Sequence, residues 1–167
     1  MVLGLSIQAF TIVHVVITLV AIASGFVVLF GMLRSQTMQS WTALFLLTTA
    51  LTSVTGFFFP IRGFTPAIGV GIISCLLLAS AVVGLYGKHL VGGWRWIYVA
   101  CALSAFYLNV FVLIVQSFQK VPTLRALAPT QSEPPFLVAQ AGALAAFLVL
   151  GTIAAVRFRP APDVLAH

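Results

Sequence analysis

Long apolar runs separated by short polar punctuation set the pattern of this chain. Residues 5–33 are uncharged and long enough to cross a bilayer with tilt to spare. A polar stretch from Arg34 to Ser40 precedes a second run at 41–59, which opens on Trp41 and stops before Pro60. Pro66 occupies the first turn of a third run, 66–87, where its missing N–H costs nothing. The fourth run, 94–118, begins with Trp94, Trp96 and Tyr98, the aromatic belt expected at a headgroup layer. The fifth, 136–156, ends at Arg157 and Arg159. The pattern predicts an all-α polytopic membrane bundle of five transmembrane helices, one domain over 1–159, and a short cytoplasmic tail at 160–167.

Between the fourth and fifth runs lies the longest polar connection, 119–135. Its four prolines (Pro122, Pro129, Pro134, Pro135) argue against a long regular element there. Residues 62–65, Arg-Gly-Phe-Thr, are expected to make a tight turn. Ala21-Ile22-Ala23 imitates a signal-peptide cleavage site. No Lys or Arg precedes the apolar core and the run continues well past that point, so the first segment is expected to stay as a span.

Composition changes the picture in one respect: it names the solvent. Of 167 residues, 62% are hydrophobic and 6% charged, with mean hydropathy +1.19. Soluble domains carry about 25% charged residues, so lipid must cover most of this surface. The net charge of +6 does not point to nucleic acid, because the cations stand singly or in pairs at the ends of apolar runs. Arg34, Lys88, Arg95, Arg157 and Arg159 fall on one side, and Arg62, Lys120 and Arg125 on the other. That bias predicts an outside N-terminus and a cytoplasmic C-terminus.

The polar side chains inside the runs carry the candidate chemistry. At about 1.5 Å per residue, His14 on the first span and Asn109 on the fourth lie at matching depth in the outer half. Thr52, Ser53, Thr55, Ser74 and Cys75 fall nearby, and Gln116 and Gln140 lie closer to the outer surface. Thr11, His14, Thr18 and Gly25 share one helical face, as do Asn109, Val112 and Gln116. Amides and imidazoles avoid hydrocarbon at a cost of several kcal/mol, so the two stripes are expected to face each other. Candidate pocket residues are therefore His14, Asn109, Gln116, Gln140, Thr11, Thr18, Thr52 and Ser74, beneath the 119–135 loop. The competing reading makes His14 a neutral imidazole serving as glue between helices. Tyr107, off the Asn109 stripe, reads as packing.

Enzymatic chemistry finds little support. Glu133 and Asp163 are the only acids, both outside the spans, and no catalytic or phosphate-binding motif is present. No catalytic residue and no cofactor are predicted. A haem b ligated by His14, or a quinone held by His14, Asn109 and Tyr107, is the redox alternative. A small-solute transporter or channel with His14 carrying the proton is a further one. Cys75 and Cys101 read as small core residues. Small-residue faces (Ser80, Gly84, Gly87; Ala139, Gly142, Ala143, Ala146) suit close helix packing within the chain, in a homo-oligomer or with another membrane protein.

The run YLNVFVLIVQSFQKVP with the following LAPTQSEPPFLVAQ, residues 107–140, resembles a motif of small uncharacterised multi-span proteins of bacterial inner membranes. The resemblance implies that location and no activity. The expectation is a small integral membrane protein acting as a binding or accessory subunit, with an outward polar pocket under the 119–135 loop.

Overall fold

The computed structural model describes residues 2, 4–60, 63 and 65–160. The expectations for Arg62 and for the tail beyond Pro160, with Asp163 and His167, lie outside the described residues. The described residues form α1 (Ile7–Leu33), α2 (Gln39–Gly56), α3 (Pro66–Val82) continued by a π-turn (Val83–Gly87), α4 (Trp94–Lys120), α5 (Pro122–Leu127) and α6 (Pro134–Arg157). Their ends follow local chemistry. Ser6 caps α1 by accepting from the Ala9 N–H at 3.1 Å, and Thr65 does the same for Ile68 at 3.4 Å. Val121 is held extended by the proline after it, which closes α4 and opens the six-residue α5. That single turn and a half is the only helix in the Pro-rich connection.

Among the described residues, four helices are long and apolar enough to cross a membrane: Ile7–Leu33, Pro66–Gly87, Trp94–Lys120 and Pro134–Arg157. The second expected span forms helix α2, but its Thr and Ser residues leave it less apolar than those four. It also ends at Gly56, short of Pro60. Phe59 turns back instead and packs against Phe10 and His14, with ring centroids 5.0 and 5.2 Å apart.

Helix α2 lies along α1 and against α3; α4 packs on α3 and α6. At the centre sits Phe106, fully buried, edge-on to Phe26, Phe45 and Phe147 at 5.0, 5.9 and 4.9 Å. One aromatic ring thereby joins α1, α2, α4 and α6. Gly25 admits it: a Cβ there would stand 2.7 Å from the ring. Gly84 likewise lets the π-turn reach α4, its Cβ position lying 3.3 Å from the Trp94 carbonyl oxygen. The small face of α6 behaves differently, since nothing approaches Gly142 and Ala154 is the one buried residue of the helix. Lipid is the natural contact for that exposed apolar surface.

The connection before α6 folds on itself through Glu133. Its carboxylate accepts from the Thr130 hydroxyl at 2.9 Å and from the Thr130 and Ser132 N–H groups at 3.1 Å. Gln131, in the left-handed region at φ +60°, reaches back to donate to the Val115 carbonyl at 2.9 Å. Desolvation pushes the Glu133 carboxyl upward, but these donors outweigh it and hold the group below the ordinary glutamate value. The sign follows by linkage: a depressed folded value stabilises the turn above the unfolded value, about 4.3, and the gain fades as pH falls through the folded value. The protection of the Thr130 and Ser132 amides, each rate taken relative to the intrinsic rate at the same pH, should therefore hold down to about pH 4.3 and fall below it, whereas Glu133→Gln should show no such step.

Candidate functional site

The polar layer converges on α2. His14 Nδ1 lies 2.8 Å from the Thr55 hydroxyl, and Thr18 lies 3.3 Å from Thr52. Ser53 donates to Ser74 at 2.9 Å, and the Asn109 amide donates to Thr49 at 3.2 Å. These rungs descend α2 in the order Thr55, Thr52–Ser53, Thr49, reaching α1, α3 and α4 in turn. His14 and Asn109 thus belong to different rungs and take separate partners. His14 and Asn109 do not meet, because α2 supplies a partner to each; α1 and α4 touch instead at Gly25, Phe26 and Phe106.

The other candidates disperse. Thr11 donates to its own helix at the Ile7 carbonyl, 2.8 Å away. Gln116 is exposed on α4. Gln140 donates to the Phe111 carbonyl at 3.3 Å, and its Oε1 is buried without a partner among the described residues. Tyr107 packs against Phe147 and Phe111. For a haem held by two histidines of one chain the donor set does not fit, because no second imidazole stands in this layer among the described residues; the Thr55 bond occupies Nδ1 of His14 and not Nε2.

Each rung is a neutral hydrogen bond between helices, of a kind worth about 0.6 kcal/mol on average in a bilayer. Asn109 is the more buried of the two polar centres, at 6% exposure. Asn109→Ala should therefore lower unfolding stability by about 1 kcal/mol, measured by denaturant titration in bicelles, and His14→Ala by less. No loss from Asn109→Ala would show that the layer does not join the helices.

A cavity lies at the other end of the bundle. A cleft of about 560 Å³ is lined by Val28, Met32, Leu85 and Phe158 and by polar groups from Thr42, Tyr98 and His89, with Gln36, Gln39 and Ser40 of the α1–α2 junction. Tyr98 is 2% exposed and its hydroxyl meets Thr42. Unusual backbone surrounds the cleft. α3 gives way to the π-turn here, and π-turns occur often at functional sites. Ser35, His89 and Leu90 are non-glycine residues in the left-handed region, at φ +56°, +46° and +58°. Such conformations cost about 1–3 kcal/mol each and persist where the surroundings impose them.

Contacts between distant segments fix these walls. Arg95 donates from one guanidinium nitrogen to the carbonyls of Ala155 and Phe158 at 2.8 and 2.6 Å, and stacks over Trp96 at 4.4 Å. It thereby caps α6 and holds Phe158, 2% exposed, in the cleft wall. The Arg159 N–H donates to the Ser35 hydroxyl at 2.8 Å, joining the end of α6 to the α1–α2 turn.

No known protein family, curated protein or solved structure matches the chain. The fold defines its class, an all-α protein with four helices able to cross a membrane, and the chemistry of the site rests on its own residues.

Proposed function

We propose that this protein is a small multi-pass membrane protein of the binding or accessory type, and that its ligand site is the cleft at the α1–α2 turn and the π-turn. The carrying observation is a cavity of about 560 Å³ with an apolar floor and a few converging polar groups, the ordinary make-up of a small-molecule site. In this reading α2 is the fifth crossing. Its 18 residues reach about 27 Å at the helical rise, and α1, α3 and α4 supply partners for its hydroxyls. Five crossings would put the cleft on the cytoplasmic side of a bacterial inner membrane, since Arg34, Lys88, Arg95, Arg157 and Arg159 gather there.

Ala43 lines the cleft. Full-length protein extracted from native membranes in mild detergent should carry a small molecule visible by native mass spectrometry. Ala43→Phe, which fills the cleft, should lose it, and His14→Ala at the far end should retain it. Equal retention by both variants, or no retained species in the unaltered protein, would overturn this reading.

A further inference from the structure

We infer that the occupant of the cleft is an anionic phospholipid of the surrounding bilayer, with an acyl chain on the apolar floor and its phosphate at the rim. This rests on the cleft being a binding site and names what it takes. The floor, Val28, Met32, Leu85 and Phe158, offers a hydrocarbon chain dispersion contacts and nothing to hydrogen-bond. The hydroxyls of Ser40 and Thr42, the Tyr86 phenol and the His89 imidazole stand where an ester and phosphate could be met.

Charge decides the head group. Arg34 comes two residues before Gln36, Lys88 immediately precedes His89 and Arg159 follows Phe158, so a cation neighbours three of the lining residues in sequence, Lys88 resting over the Trp94 ring at 5.8 Å. Arg95 is committed to the end of α6, whereas Arg34, Lys88 and Arg159 are exposed. Glu133, the one acid among the described residues, belongs to the turn before α6 at the opposite end. α2 also begins at this rim, and Met38 gives it no side-chain cap, so its first-turn amides add partial positive charge. A zwitterionic head group would bring its own cation into this field; an anionic one would not. Basic pockets between membrane helices select anionic head groups for this reason.

The Arg34 and Lys88 cations each add roughly fivefold to the preference for an anionic lipid near the surface. The experiment is native mass spectrometry of the full chain, delipidated in neutral detergent, with phosphatidylglycerol and phosphatidylcholine of identical chains in competition. Phosphatidylglycerol should be retained by at least about fivefold over phosphatidylcholine. The triple variant Arg34→Gln/Lys88→Gln/Arg159→Gln should bring the ratio close to one with total lipid uptake kept. Ala43→Phe should abolish uptake of both.

Equal retention of the two lipids, with both lost in Ala43→Phe, would overturn the anionic assignment and leave the cleft as a site. Uptake insensitive to Ala43→Phe would overturn the site itself. Palmitate displacing phosphatidylglycerol at lower concentration would overturn the phospholipid assignment in favour of a free fatty acid. Displacement by glycerol 1-phosphate alone would do so in favour of a soluble phosphate. A melting temperature recorded for each variant separates lost uptake from lost fold.

Discussion

Phe106→Ala is expected to be the most damaging single substitution in the bundle, lowering stability by about 2–3 kcal/mol. The ring joins four helices through its edge contacts with Phe26, Phe45 and Phe147 and its seat on Gly25. In water such a truncation loses both transfer energy and packing. Here the unfolded reference is also apolar, so the transfer part shrinks while the vacated contacts remain. The companion change, Gly25→Ala, pushes a Cβ to 2.7 Å from the ring and should cost about 1–3 kcal/mol by overpacking. Combined as Gly25→Ala/Phe106→Leu, the two should cost less than their sum, because the second makes room for the first. Unfolding titrations in bicelles measure all of these. Additive costs would mean that the ring does not rest on Gly25.

Arg95→Ala should lower stability by about 2 kcal/mol through loss of two charge-assisted bonds to the last carbonyls of α6. The effect should be local. Hydrogen exchange at the Phe158 amide, which donates to the Ala154 carbonyl, should accelerate while the centre of α4 stays protected. Arg95→Lys should recover part of the loss, because it keeps a donor and a charge but not the flat stack over Trp96. Phe158 is a wall of the cleft, so ligand retention should fall with the Ala variant. Unchanged exchange at the end of α6 would show that the guanidinium is not its cap.

Periodicity and punctuation made the helices legible. Pro66 marks a helix start as the sequence suggests, whereas Pro122 and Pro134, read as breakers of the connection, open helices too; the apolar runs give bounds within a few residues of those observed. Less legible was the partner of each polar stripe. His14 and Asn109 do lie on stripes, but depth counting compares only α1 with α4 and is blind to which helix stands between them. Thr52, Ser53 and Thr55 form a polar set in the sequence, but Thr49, the partner of Asn109, stands outside that reading; the spacing that lets α2 serve three neighbours becomes decisive only once the packing order is known. The cleft was the least legible part. It depends on a π-turn after Val82 and on left-handed backbone at Ser35, His89 and Leu90, and none of these departs from the hydrophobic pattern. The gathering of Trp94, Lys88 and Arg34 near one end was the available signal, and it reads equally well as orientation charge.

The hydroxyl ladder of α2 has a bearing on how such a chain is made. A segment whose hydroxyls are shared between its own carbonyls and the helices on either side gains less from entering lipid alone. If α2 does cross, the newly synthesised chain is expected to deliver it together with α1, as a prepaired hairpin, rather than one helix at a time.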